Sequence, residues 1–319
     1  MPILPFPIED RYYRYSKYLR QTFGGRVYRI SLDAGFTCPT RDGRLGTGGC
    51  LYCNNASFSA DRSRSLKPIK DQLAEGIDRA QKFRKAGKFL AYFQAYTNTY
   101  GSVKYLEKLY RSVLDVPNVV GILIGTRPDC INDDIFTLLK DLNQDTYVSV
   151  EYGIESVYDK TLGWAQRGHD FETTRRAIEQ TYEHGLHVTG HIIFGFPTET
   201  RDEILQSAAI LNNLELDALK IHHLHVVKQT VLADLFSQSP FPLFTEQEWI
   251  ELVCDFLERL RPDIVIQRLV GDAKPGTLIA PKWKTGKAVL LSKIQMELAS
   301  RGAFQGYRFT DDESQSREI

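Results

Sequence analysis

Short β-branched and apolar runs alternate with amphipathic helical stretches along most of this chain, and that alternation constrains the fold more than any other feature. The strand-like runs open at Val27 (VYRISLD), Phe89 (FLAYFQ), Val119 (VVGILIGT), Thr146 (TYVSVEYGI), His187 (HVTGHIIFG) and Ala218 (ALKIHHLHVV). Helical stretches separate them, as over 68–85, where Ile69, Leu73, Ile77 and Ala80 share one face. Gly185 reads as the stop of the helix FETTRRAIEQTYEHG. Strand then helix, six times over, argues parallel pairing with right-handed crossovers. Runs apolar on both sides suit a sheet covered by helices. The expected fold is α/β, a partial (β/α)6 TIM-like barrel with its chemistry at the C-terminal strand ends. After Thr230 a helix (EQEWIELVCDFLERL), a seventh strand (DIVIQRLVG) and a final helix (GKAVLLSKIQMELASRG) follow. The expected organisation is an N-terminal arm (1–25), a core (26–230), a β/α extension packed on that core (231–309) and a polar, mobile tail (310–319).

Lys+Arg and Asp+Glu both number 40, so bulk charge does not announce nucleic-acid binding, although a local basic patch fits inside a neutral total. The proline-broken N-terminus is no secretory signal, and no apolar run reaches membrane-spanning length. A cytoplasmic protein without a membrane partner is expected. The start RYYRYSKYLRQTFGGR reads as an amphipathic helix or arm with its aromatics on the core; RNA contact through stacking is the weaker alternative.

Five cysteines, an odd number, argue against a complete disulfide framework and for metal or redox chemistry. Cys38, Cys50 and Cys53 cluster directly after the first strand, in LDAGFTCPTRDGRLGTGGCLYCNNASFS. Eleven residues separate the first two, and two separate the last two. Cys254 reads as a buried helical residue, and Cys130 receives no role. Thiolates suit zinc and iron–sulfur clusters. Three thiolates on a four-iron cluster leave one iron free to chelate the amine and carboxylate of S-adenosylmethionine (SAM). Structural zinc wants four ligands, and no histidine lies between Asp33 and Ser65. A distant His222, His223 or His225 would have to complete such a site. A zinc-stabilised, non-catalytic binding module is therefore the alternative of another class.

With these residues the chain resembles radical SAM enzymes, with an expanded spacing between its first two cysteines. That spacing looks like the branch related to the elongator catalytic subunit. The resemblance spans residues 24–230. It implies a 4Fe–4S cluster on Cys38, Cys50 and Cys53, SAM as cofactor, and an electron donor such as flavodoxin or ferredoxin. Tyr52 matches the family position near the adenine. FQAYTNTYG lacks the family's Gly-Gly-Glu motif and offers Gln94, Thr97 and Asn98 as uncharged substitutes. GTRPDC resembles the same branch and turns Arg127 toward the site, while Asp129 reads as a cap of the next helix. In VSVEYGIES, strand alternation puts Ser149, Glu151, Gly153 and Glu155 on one face. The resemblance places Glu151 near the methionyl group and Glu155 or Ser156 near the ribose. In TGHIIFGFPTET, Ile193 would pack on the adenine and the turn at Gly195 would admit close backbone approach.

In LKIHHLHVVKQT, Lys220 and His222 share a face, with His223 and His225 opposite. Lys220 and His222, with Arg127, are the substrate-side candidates. Satisfied hydrogen bonding is the expected role of His223. The implied substrate is tRNA, with a carboxymethylaminomethyl group on the wobble uridine trimmed to aminomethyl. Arg127, Lys220, Arg268 and Lys274 are the cations available for a carboxylate or phosphate. No segment after Thr230 is long enough for an acetyltransferase domain, and no second cysteine trio supports sulfur insertion. The same radical chemistry on a small metabolite or protein is the enzymatic alternative.

Overall fold

The computed structural model of the chain describes residues 4–55 and 66–310. The expected tail from Asp311 onward and the first three residues of the expected arm lie outside them. In chain order the elements are α1 (Tyr15–Phe23), β1 (Val27–Leu32), α2 (Ile69–Arg84), β2 (Lys88–Phe93), α3 (Val103–Leu114), β3 (Val119–Thr126), α4 (Asp133–Asp145) and β4 (Tyr147–Glu155). There follow α5 (Asp159–Trp164), α6 (Phe171–Glu183), β5 (His187–Phe194), α7 (Arg201–Asn212), β6 (Ala218–His223) and β7 (Val226–Val227). The last are α8 (Val231–Gln238), α9 (Glu246–Arg259), β8 (Val265–Arg268), β9 (Leu278–Ala280) and α10 (Lys287–Ser300).

Seven strands form one sheet in the order β1-β2-β3-β4-β5-β6-β8, with each neighbouring pair parallel. The sheet curls into a half-barrel with helices outside, and the seventh strand of the sheet comes from the segment after Thr230. Strand alternation sorts the side chains into two layers. Val148, Val150, Tyr152 and Ile154 of β4 pack outward into the main core with Leu219 and Ile221 of β6. The alternate positions face inward and stack by height, as in a filled barrel. At the bottom Leu90, Leu123, Ala218 and Val265 pack with Tyr15 and Leu19 of α1, so the N-terminal helix plugs the barrel base. Arg29 on β1 donates to Gln267 on β8 at 2.7 Å, a side-chain bridge between the two edge strands.

Local chemistry accounts for most element ends. Thr200 and Thr245 open α7 and α9 with capping boxes to Glu203 and Glu248. Gly185, at φ 71°, follows the end of α6. Asn132, not Asp129, caps α4, because Asp129 is drawn into an ion pair with Arg127. Strand six is shorter than its apolar run suggested. It ends at His223, where Leu224 N–H bonds back to Phe194 O, and the chain resumes as β7 in an antiparallel ribbon with β9. Among the described residues no helix is long and apolar enough to cross a membrane.

Candidate cofactor cavity at the strand ends

A cavity of about 590 Å³ opens at the C-terminal ends of the strands, within the usual range for small-molecule sites. One wall is the loop after β1, which carries Cys38, Cys50 and Cys53, all free thiols on the cavity. Each sulfur has a polar neighbour. Cys38 Sγ lies 3.2 Å from Thr40 Oγ1, Arg167 Nη1 points at Cys50 Sγ at 3.5 Å, and Asn55 Nδ2 points at Cys53 Sγ at 3.7 Å. Arg41 reaches back over the loop to Cys53 O at 2.6 Å. It passes Gly49 (φ 75°), where a Cβ would come within 2.6 Å of the guanidinium. Burial pushes the Cys38 thiol up, but hydrogen bonds from Thr40 and Thr97 and the charge of Arg127 outweigh it and hold the thiol below its ordinary value. Burial, then the Cys50 charge, pushes Cys53 to about 11.

Two buried arginines stand behind this wall. Arg127 forms a two-pronged pair with Asp129 at 2.8 and 2.9 Å and donates to Arg167 O at 2.5 Å. Arg167 donates to Gly153 O at 2.8 Å and lies 3.9 Å from Glu155. Among the described residues, Arg127 Nη1 and Arg167 Nε are buried without a hydrogen-bond partner. Orphaned charged donors are costly in a protein interior unless an acceptor is supplied. A thiolate-held iron–sulfur cluster carries net negative charge and acceptor sulfurs. Three thiols among three guanidinium groups fit such a group. No set of three or more His, Cys, Asp or Glu side chains among the described residues is gathered to hold a single metal ion.

Glu151 forms the cavity floor and is ion-paired from behind with Lys220, both side chains being buried. Lys220 also donates to Tyr92 Oη at 3.0 Å, and His191 Nε2 lies 3.2 Å from Glu151. Burial alone would raise the Glu151 carboxyl. The Lys220 charge and the His191 hydrogen bond instead hold it well below its usual range. Beyond this floor stand His222, His225 and Arg268. Arg268 Nη1 is 2.6 Å from His222 Nε2, and His225 Nε2 is 2.7 Å from His223 Nε2.

Most residues singled out from the sequence meet here. Cys38, Cys50, Cys53, Tyr52, Gln94, Arg127, Glu151, Glu155, Ile193 and His222 all line the cavity. Four do not. Asn98 is turned beneath it, with Nδ2 on Gly125 O at 2.8 Å. Ser156 is held by Glu199 and by Tyr158 N–H, in the turn before α5. Gly195 (φ 100°) faces Phe244, 3.0 Å from where its Cβ would be. Lys220 sits behind Glu151, since strand alternation fixes its face but not its depth. His223 keeps the outward side of β6, against Trp249 and Trp283, but at the strand end its ring and that of His225 beyond it also reach the cavity. Glu155 departs from the alternation through a bulge, with φ 66° and a register shift against β5. Arg41, Arg167 and His191 went unnoticed in the sequence. The arginines lie on loops, where no periodicity marks them.

Residues 43–211 match the Radical SAM superfamily and residues 216–300 the Radical_SAM C-terminal domain. The chain belongs to the radical SAM superfamily. The superfamily match opens inside the long Cys38–Cys50 spacing. This membership replaces the alternative of a zinc-stabilised, non-catalytic module, and its cofactors are a 4Fe–4S cluster and SAM. The chain is 36% identical over 315 residues to "Uncharacterized protein YtqA" of Bacillus subtilis, covering 98% of each. It is 28% identical over 164 residues to the tRNA uridine(34) acetyltransferase of Methanocaldococcus infernus, covering 50% of this chain and 30% of that protein. Its fold is similar to the Elp3 structure of the same archaeon, with a TM-score of 0.67 and 17% identity, covering 89% of this chain and 65% of that one.

Proposed function

We propose that this radical SAM enzyme acts on tRNA and trims a carboxymethylaminomethyl group on the wobble uridine to aminomethyl. The observation that carries the reading is the similarity, across half of this chain, to a protein named for its action on tRNA uridine 34. The cavity supports it, because the thiols occupy one end and leave the His222–Arg268 end for a second molecule.

In this reading Cys38, Cys50 and Cys53 hold the cluster, and a flavodoxin or ferredoxin supplies the electron. When bound, the cofactors would supply a 5′-deoxyadenosyl radical. Loss of one hydrogen atom and one electron from the carboxymethyl methylene would leave an imine that water hydrolyses, so that the carboxymethyl group departs as glyoxylate, the amine is freed, and SAM is consumed as the two-electron oxidant. The protein's part is placement and exclusion of water. Tyr52, edge-on to Phe196 at 5.7 Å, and Ile193 flank the adenine. Glu155 serves the ribose without Ser156, and Gln94 and Glu151 face the methionyl group. Arg127 and Arg167 brace the thiol wall.

The test is anaerobic reconstitution with iron and sulfide, followed by SAM and tRNA. Formation of 5′-deoxyadenosine and loss of the carboxymethyl group, read by nucleoside mass spectrometry, are expected. Both should vanish in Cys38→Ala, Cys50→Ala and Cys53→Ala. Affinity for tRNA should fall with salt. SAM cleavage without tRNA affinity at low salt would overturn the tRNA reading and favour a small metabolite or protein substrate.

A further inference from the structure

Positive charge from three strands gathers at and beneath the His222–Arg268 side of the cavity, and of the three cations Arg268 alone lines it. Arg29 comes from β1, Lys220 from β6 and Arg268 from β8. Glu151 is the one buried carboxylate among them, and it is taken by Lys220 and His191. Asp272, at the rim, pairs with Lys287 at 2.6 Å. Arg29 is held by Gln267 and lies over the rings of Tyr15 and Tyr92, at 4.9 and 5.8 Å. Arg268 has no carboxylate within ion-pair distance among the described residues. Its one hydrogen bond there is to His222, at 2.6 Å.

That bond fixes the orientation of both groups. An arginine has only donors, so His222 Nε2 must accept and the ring is neutral. The Nδ1 edge of His222 lies against Gly271, where a Cβ would come within 2.5 Å, so only glycine gives the ring this room. One arm of the Arg268 fork is thereby anchored, and the rest of the guanidinium is left to the cavity it lines. A half-buried guanidinium without an anion is an incomplete site, because its planar fork matches a carboxylate with two parallel hydrogen bonds. Lys274 lines the same end.

Among the cations that the sequence offered for an anion, geometry separates the candidates. Arg127 is committed to Asp129, and Lys220 to Glu151. We propose that the outer end of the cavity is a substrate anion subsite, in which Arg268, held in place by His222, receives a carboxylate. A backbone phosphate belongs to a continuous strand that would have to thread the cavity, whereas the carboxylate at the tip of a base side chain enters alone. Resting on the tRNA reading above, Arg268 is the residue that distinguishes a carboxymethylaminomethyl group from an uncharged one. Gripping the carboxylate also places the neighbouring methylene relative to the radical.

The test compares two tRNAs, one carrying carboxymethylaminomethyluridine and one its methyl ester. The wild-type enzyme should favour the acid. Arg268→Gln should raise KM for the acid roughly 10- to 100-fold, as expected for one charge-assisted hydrogen-bonded pair, and erase the preference. Arg268→Lys should keep part of it. SAM affinity and substrate-independent 5′-deoxyadenosine formation should stay within about twofold, which also shows that the variant folds and holds its cofactors. A retained preference, or SAM affinity falling in step, would overturn the proposal; the latter would assign Arg268 to the cofactor. Should the wild type act on neither tRNA, the tRNA reading fails alone. N-methylglycine, titrated into SAM-loaded enzyme and followed by the His222 ring resonances, then decides the subsite. Binding to wild type but not to Arg268→Gln supports it, and binding to neither, or to both, overturns it.

Discussion

Glu151 and Lys220 meet inside the barrel with almost no water around either, so the pair is a liability as soon as one partner is removed. Burial already pulls Lys220 down to about 7 despite the Glu151 charge, so Glu151→Gln would leave it either an unpaired buried ammonium or forced to shed its proton beside Tyr92 and Arg268. The expected cost is about 3–5 kcal/mol, read as a lower urea midpoint by tryptophan fluorescence. Adding Lys220→Met should restore most of it. If Glu151→Gln alone leaves the midpoint unchanged, the pair is not ionised as described. Arg167 makes a second residue-scale case. Its Nη1 points at Cys50 Sγ, and hydrogen bonds and positive charge at cluster sulfurs favour the more negative, reduced state. Arg167→Gln should therefore lower the reduction potential of the cluster, measured by titration under electron paramagnetic resonance. Arg41→Gln should lower it too, since Arg41 donates to Cys53 O and its charge faces the Cys53 thiol. Neither arginine was legible beforehand. The cysteines announced themselves by type and spacing, whereas an arginine on a loop is ordinary until the fold shows what it faces.

At the scale of elements, legibility tracked length and period. The first six strands and their long helices could be read because each repeats its pattern over six or more residues. The ribbon β7–β9 could not, because strands of two and three residues have no period to detect. The same limit made strand six read too long. Its apolar run continues through Val227, but the backbone leaves the sheet at Leu224 to roof the cavity. The N-terminal segment presented two competing readings, an RNA-binding arm or a packed helix. The fold puts Tyr12, Tyr15 and Leu19 in the interior, and Ile266 N–H donates to Tyr13 O at 2.7 Å, tying the arm to β8. Leu19→Ala should thus cost about 2–5 kcal/mol of stability and leave tRNA affinity unchanged at a temperature where the variant is folded. Reduced tRNA affinity with unaltered stability would restore the arm to RNA binding.

For the whole molecule, the cavity wall concentrates buried neutral bases, and this sets how stability responds to acid. His191, His222, His223 and His225 all line it. Burial pulls each below its ordinary value, helped by the Lys220 charge at His191 and the Arg268 charge at His222. His191 and His225 fall to about 4. The His223 ring, stacked on Trp283 at 4.1 Å, has its Nε2 against that of His225, so one ring donates and the other accepts, and protonating both would set two donors face to face. In the unfolded chain these rings take up a proton near 6.5; in the folded chain His191 and His225 resist it until near 4, and His222 and His223 are held well below their ordinary value. The unfolded state therefore binds more protons between those values, and stability falls as pH falls through the window. Each such histidine contributes up to about 1.4 kcal/mol per pH unit. The urea midpoint should thus drop steadily from about pH 6.5 to about pH 4. His225→Asn should flatten the slope, because it removes one proton-binding group from the unfolded state and keeps a donor for His223. A midpoint insensitive to pH across this window, or a slope unchanged by His225→Asn, would mean that these rings already carry protons in the folded enzyme, and that the Arg268–His222 contact is not the neutral bond its geometry describes.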